Sequence, residues 1–276
     1  MPVGLERESM FGVAGDGCPP RFRMARDDEM RIVVDVLHRR GVLCTVPELF
    51  MLGSDRCRVA LCADETPPAV LIEPTAPKVT LAVHGRAGSP ALRQYLLEVE
   101  AGIGFMVAPE LEPMVVSTRR NPRVLSMRVL SSSRARPGLR PEPAGVREVL
   151  APRHEDALSR LSAEGRGFLE CYHSLNEFLS SAITGVASVV DGEIVSICVV
   201  YARAGDVCEV AAYTRPEHRG QGHALAACIP CIERIVAARC RPAWTAVDEA
   251  SWRLGIKAGL GPVGEKLYVM FEHPAA

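Results

Sequence analysis

Lysine is nearly missing from this 276-residue chain. It occurs only as Lys78, Lys257 and Lys266, and arginine supplies the rest of the cationic charge. That skew reads as genome composition rather than as a binding surface. No charge of one sign dominates either: 32 cationic and 33 acidic residues leave a formal net charge of −1. A global pull toward nucleic acid or anionic membrane is therefore excluded. No apolar run approaches the roughly 18 residues of a membrane span. The first 26 residues have no apolar leader core, since Glu6, Arg7, Glu8 and Asp16 interrupt them. These absences predict a cytoplasmic protein without nucleic-acid or membrane partners.

What is present supports a globular chain. Apolar residues make up 48% and charged residues 24%, enough to bury a core. Ten cysteines would suit a disulfide framework in a small secreted domain, but this chain is too long and lacks secretion signals. Cys62, Cys198 and Cys208 lie in apolar runs and read as buried thiols. Cys228 and Cys231 form a C-x-x-C with Cys240 beyond. No second such pair or suitable histidine pair accompanies them, so no metal is expected.

Residues 1 to 25 read as an irregular arm broken by Gly15, Gly17, Pro19 and Pro20. Asp27 and Asp28 start a helix that runs to Arg40. β-type runs follow at 58–63, 69–73 and 78–84. Ser89 caps a helix carrying Leu92, Leu96 and Leu97, and strands follow at 105–108 and 124–130. The stretch Ser131 to Pro143, rich in Ser, Arg, Pro and Gly, is a linker. The chain thus divides into an arm at 1–25, an α+β domain at 26–135 and a second domain at 145–273.

The second domain reads as a strand at 146–150 and helices at 154–163 and 168–181. A hairpin pair at 182–190 and 194–202 then turns on Asp191-Gly192. A strand at 207–214, reached by a Gly205-Asp206 turn, precedes a glycine loop. A long helix to about Arg239, a strand at 242–247, a helix at 248–258 and a last strand at 261–271 complete it.

The glycine loop carries the most chemistry: Thr214-Arg215-Pro216-Glu217-His218-Arg219-Gly220-Gln221-Gly222-His223-Ala224. It joins a strand to the start of a helix. Backbone N–H groups of Gln221, Gly222, His223 and Ala224 at a positive helix end suit phosphate oxygens, with Arg219 adding charge. Gly220 and Gly222 let the backbone approach a ligand closely. No G-K-[ST] follows, so this is not a P-loop. The preceding strands are hairpin-linked, which argues against a dinucleotide-binding βαβ unit.

Arg219, Gly222 and Ala224 fit R-x-x-G-x-[GA], and the loop resembles the acyl-CoA-binding loop of the GNAT superfamily of N-acetyltransferases. The element order of residues 145 to 273 is that of the GNAT fold. The resemblance implies an α/β (α+β) protein with a mixed, mostly antiparallel sheet flanked by helices, and implies acetyl-CoA as cosubstrate. Residues 26–135 read either as a degenerate GNAT-like lobe or as an unrelated α+β domain. The turn at His84 to Ser89 lacks the phosphate-loop spacing. Ile194 to Cys198, Thr214 to Gly222 and Pro242 to Trp244 together are similar to the branch named for zwittermicin A resistance acetyltransferases.

Further site residues follow from the resemblance. Ala212, Tyr213 and Thr214 would lie beside the pantetheine and thioester. Asp248, Ser251 and Trp252 match a looser N-x-x-S helix start near the coenzyme, although Asp248 also reads as a plain helix cap. Glu209 stands where a carboxylate acts as general base, against the alternative of a structural charge. The tyrosine that often protonates the departing thiolate is replaced by Gly255, so either another group such as Tyr213 or Tyr268 donates the proton, or water does, or the thiolate leaves without a general acid. Strand parity puts Glu209 and Tyr213 on one face as a pair. Tyr172, His173 and Asn176 fall where related enzymes form the acceptor wall, against the alternative of a plain amphipathic helix. The expected activity is acetyl transfer to a primary amine of a small molecule in a ternary complex. A non-catalytic acyl-CoA-binding sensor is the alternative, and a homodimer is left open.

Overall fold

Asp191 (φ 50°) and Gly192 (φ 78°) both take the left-handed conformation that a two-residue hairpin turn requires. The strands on either side pair antiparallel, with Val190 opposite Glu193. Local turn chemistry of this kind sets much of the architecture.

The computed structural model describes residues 22–39, 46–53, 57–63, 65–74, 80–98, 104–118, 122–132, 146–167, 169, 172, 174–181 and 183–271. The arm through residue 21, the linker from 133 to 143, and His173 lie outside the described residues.

The first elements are β1 (Arg23–Met24), α1 (Met30–Arg39), α2 (Val46–Leu52), β2 (Cys57–Cys62), β3 (Ala69–Pro74) and β4 (Thr80–His84). Next come α3 (Pro90–Glu98), β5 (Gly104–Val107), α4 (Glu112–Thr118), β6 (Pro122–Ser131) and β7 (Val146–Val149). Then follow α5 (Glu155–Ser159), α6 (Leu175–Leu179), β8 (Gly185–Val190), β9 (Glu193–Ala204) and β10 (Val207–Thr214). The chain finishes with α7 (His223–Ala237), β11 (Arg241–Ala246), α8 (Glu249–Lys257) and β12 (Gly261–Phe271).

Two compact units form, and they interleave in sequence. Unit 1 comprises Met1–Gly41, Ser54–Ser126 and Lys266–Ala276; unit 2 comprises Val42–Gly53 and Met127–Glu265. Helix α2 therefore packs with the second unit, although it precedes most of the first in sequence.

Within unit 1, β1 to β4 pair antiparallel in order. β5 runs parallel to β4 after the α3 crossover, and the end of β12 adds antiparallel to β5 through Leu267↔Val107. Phe22, Leu92, Tyr95, Phe105 and Val269 belong to its apolar core.

Unit 2 follows the same plan. β7, β8, β9 and β10 pair antiparallel in order, and β11 runs parallel to β10 after the α7 crossover. The end of β6 adds antiparallel to β11 through Trp244↔Leu130. Each unit is thus a mixed, mostly antiparallel sheet flanked by helices, as expected for the second half of the sequence. One face of this second sheet packs against α7 through Cys198, Cys208, Cys228, Cys231, Ile232 and Trp244. The other carries Ile194, Ile197 and Val199 under Leu158 and Phe178.

Several elements differ from expectation, and the helix predicted over 154–163 already ends at Ser159. The helix predicted over 168–181 is only Leu175–Leu179. Ser174 is extended (ψ 161°), and its hydroxyl accepts from the N–H of Glu177, so it starts a new helix rather than continuing one. Helices α2 and α4 were not legible at all.

Candidate functional site

Strand β10 loses one neighbour partway along. Its parallel ladder with β11 stops at Val210↔Trp244, while its antiparallel ladder with β9 continues to Thr214↔Ser196. The departure follows an irregularity: Glu209 faces Ala202 but Val210 faces Val200, leaving Tyr201 as an extra residue on β9. The N–H of Arg215 donates toward β9, to the carbonyl of Val195. By alternation, the main-chain groups of Ala212 and Thr214 turn to the side from which β11 has withdrawn.

The glycine loop begins where this strand ends. Pro216–His218 form one 3-10 turn, and Gly220 (φ 77°) and Gly222 (φ 87°) then reverse the chain into α7. Both conformations are left-handed, which is why glycine stands at each. Gly222 is the N-cap and supplies no side chain to the first turn of a 15-residue helix, and no acidic residue lies in that turn. The first N–H groups of the helix have no intrahelical acceptor. Gly220, Gln221 and Gly222 are exposed. The loop is open and leads into a helix.

The start of α3 in unit 1 makes a useful contrast. Its first turn is filled from within: Leu92 donates to the Ser89 hydroxyl at 3.0 Å, and Ala91 donates to a Glu65 carboxylate oxygen at 3.0 Å. A carboxylate of the protein takes the place that an anionic ligand would need.

Side chains brace the open loop. Arg219 Nε donates to the carbonyl of Thr214 at 3.1 Å, and its guanidinium pairs with Glu164 at 3.4 Å. Gln221 donates to the carbonyl of Glu217 at 3.1 Å. His223, the first helical residue, is 2% exposed, and its Nδ1 lies 3.0 Å from the Ser188 hydroxyl. Burial, and then the nearby His218, hold the His223 imidazole below its usual protonation range. Ala224 is half-buried in the same turn.

Ser196 locks the end of β10. Its hydroxyl donates to the carbonyl of Tyr213 at 2.9 Å, so the Thr214 hydroxyl, 2.8 Å away, is the donor to Ser196. The Tyr213 hydroxyl lies 2.9 Å from Ser162 Oγ.

Glu209 is 0% exposed and accepts from the Thr245 hydroxyl. It shares a strand face with Tyr213, but four residues at about 3.3 Å each put the two roughly 13 Å apart. Each has its own partner, so they share a face without touching as a pair. Phe50 from α2 and Tyr172 stack at 5.6 Å, and with Tyr201 they cover Ala202, Val207 and Ala243 near Glu209. Asn176 is exposed on α6.

The residues at the start of α8 have structural partners. Asp248 caps α8 by accepting from the N–H of Ser251 at 2.7 Å. The Ser251 hydroxyl lies 3.0 Å from Trp244 Nε1, which donates to it. The Arg128 guanidinium stacks on Trp252 at 4.0 Å beside a cavity of about 370 Å³ lined also by Pro262 and Val263. Tyr268 belongs to unit 1, where its ring lies over Gly104. Among the described residues, no group of three or more His, Cys, Asp or Glu is placed to hold a metal, and no helix is long and apolar enough to cross a membrane.

Sequence reasoning missed Ser162, Glu164, Ser188, Ser196 and Thr245. Each reaches its partner across 17 to 55 residues of chain, and no local pattern marks such a contact.

Comparison with known proteins agrees with this geometry. Residues 150–268 match the family model described as GNAT acetyltransferase. No curated protein matches the chain. A GCN5-related N-acetyltransferase-like protein from Streptococcus suis 89/1591 has the same fold (TM-score 0.63, 15% identity, 87% of this chain and 99% of that one). So does a GCN5-related N-acetyltransferase from Sphaerobacter thermophilus (0.60, 14%, 94% and 98%). A tandem GNAT protein from the clavulanic acid biosynthesis pathway is similar over 92% of this chain and 99% of its own (0.57, 14%).

Proposed function

We propose that the chain is an acetyl-CoA-dependent N-acetyltransferase acting on a primary amine of a small molecule, by direct transfer in a ternary complex. The observation that carries this reading is the uncapped, glycine-led start of α7 beside the splayed end of β10. Amides of Gln221 to Ala224 hold the pyrophosphate, and Arg219 lends positive charge. Main-chain groups of Ala212 and Thr214 lie alongside the pantetheine, and the Ala212 N–H polarises the thioester carbonyl. Tyr172 and Asn176 belong to the acceptor side.

The chemistry asks for one base and one acid. An ammonium cannot attack a thioester, so Glu209, steadied by Thr245, takes its proton through water. The amine nitrogen then bonds to the acetyl carbon, and the C–S bond breaks with its electrons on sulfur. Tyr213 gives its phenol proton to the thiolate and is recharged by the second proton lost from nitrogen. Alignment supplies much of the rate, since effective molarities of about 10⁵ M or more are reached by well-placed reactants. Unit 1, built on the same strand plan but with Glu65 in its helix start, is a second lobe that does not take coenzyme.

A second reading is a sensor that binds acyl-CoA without turnover. The crowding at Gly255, where family members carry an acid, favours it. The likeness to the zwittermicin A resistance branch points instead toward amine modification. Calorimetric titration with acetyl-CoA tests the shared premise: Gly222→Glu should abolish binding, and retained affinity counts against both readings. Thiol release across a panel of amines separates them, because a sensor shows none.

A further inference from the structure

Tyr213 is not held by its strand alone. The turn after α5 closes on it from the side. Ser162 Oγ lies 2.9 Å from the phenol oxygen, and a Cβ added at Gly165 would come within 2.8 Å of Tyr213 Cε1. The ring is therefore gripped on its edge, while the Tyr213 carbonyl is fixed by Ser196. The same turn carries Glu164, the ionic partner of Arg219 in the glycine loop. One short segment thus touches both the phenol and the loop assigned to the coenzyme.

The hydroxyl pair has two polarities. Ser162 Oγ already accepts the N–H of Gly165 at 3.1 Å. Its own proton and one lone pair remain. If Tyr213 donates to Ser162, the phenol proton is occupied. If Ser162 donates to Tyr213, the phenol oxygen is an acceptor and its proton points away, free to leave. Only the second arrangement strengthens as the phenol loses its proton, because a hydrogen bond to a developing anion exceeds one to a neutral oxygen.

We propose that Ser162 is a positioning residue that donates to Tyr213 Oη, directing the phenol proton toward the departing sulfur. The inference rests on the reading of Tyr213 as the proton donor. In the step it serves, the C–S bond breaks, the electron pair goes to sulfur, and the Tyr213 proton moves to that sulfur to give the free thiol. The Ser162 hydrogen bond steadies the phenolate until a proton from the acetylated nitrogen replaces the one given up.

The test uses the full chain with Ser162→Ala, Ser162→Thr and Tyr213→Phe, assayed by thiol release at saturating amine and by acetyl-CoA calorimetry. Ser162→Ala should lower kcat by about ten-fold, the scale of one charge-assisted hydrogen bond. The acetyl-CoA Kd should stay within about two-fold, and the alkaline limb of the kcat–pH profile should move to higher pH. Ser162→Thr should recover most of the loss. Wild-type kcat in Ser162→Ala, or a loss without movement of the alkaline limb, overturns the assignment. If Tyr213→Phe is inactive while Ser162→Ala is fully active, the proton-donor reading stands and Ser162 has no part in it. If Tyr213→Phe retains full kcat, both fall.

Discussion

Leu130 occupies the space that a side chain on residue 255 would need: a Cβ at Gly255 would run into Leu130 Cδ1. Leu130 is fully buried, and it reaches this place because β6 pairs beside β11, opposite Trp244. A side chain at residue 255 therefore requires the Leu130 methyl to shift within a buried core. Gly255→Ala should destabilise the protein by roughly 1–3 kcal/mol through overpacking. Leu130→Ala in the same chain should relieve part of that strain. A double-mutant cycle by chemical denaturation should show coupling of at least about 0.5 kcal/mol; strict additivity would disprove the clash.

Acetyl-CoA should bind with a stoichiometry of one. The start of α7 lacks a side-chain cap, whereas Ser89 and Glu65 fill the start of α3, the corresponding crossover helix of unit 1. Isothermal titration gives the number directly, and a value near two would mean that Glu65 gives way to the ligand.

Glu164 should restrain the glycine loop. It neutralises Arg219 at 3.4 Å with both side chains largely exposed, so the pair is weak and screened by salt. Glu164→Gln leaves the Arg219 charge free for phosphate. Affinity for acetyl-CoA should rise by about two- to five-fold at low ionic strength, and the gain should shrink in 0.5 M salt. Unchanged affinity at low salt would show that Arg219 does not meet the ligand.

Stability should fall on mild acidification because of His223. Burial holds its protonation in the folded state below the ordinary 6.5. The unfolded chain then binds more protons as pH drops under about 6.5, so stability declines below that point and levels off beneath the folded-state value. Above about 6.5 the group contributes no pH dependence. His223→Gln should flatten the difference in Tm between pH 7.5 and pH 5. A wild-type slope in that variant would assign the effect to other groups.

The buried thiols should resist modification. Cys198 and Cys231 titrate well above the usual thiol range, Cys198 chiefly through its contact with Cys228 and Cys231 chiefly through Cys198. Burial first, and then Cys240, push Cys208 up to about 12. Few thiolates form, and reagents should label these sites only on unfolding. Peptide mass mapping after brief alkylation should find Cys57, which is half-exposed, modified ahead of them.

Strand β10 was legible residue for residue, because turn signals bound it on both sides and it is mostly apolar, with Glu209 its one charged residue. The loop was legible for a similar reason: Gly220 and Gly222 adopt conformations that only glycine takes readily. What stayed hidden depends on contacts across the chain. Helix α2 has seven residues and contains Pro47, too short for a periodic signal, and its place over β9 follows from Phe50 meeting Tyr172. Parity put Glu209 and Tyr213 on one face, but it could not show that each has its own partner, Thr245 for one and Ser162 for the other. Asp248 is the reverse case, since its capping role was readable from its position alone.

The interleaving of the two units carries a consequence for anyone dissecting this gene. A fragment begun after residue 143 would keep the glycine loop yet leave behind Leu130, which fills the hollow at Gly255, and Phe50, which shields Tyr172. Such a piece would expose the flank of β11 as an unpaired edge, ready to recruit strands from its own copies. Truncation at the apparent linker should therefore yield aggregates rather than a miniature of the parent.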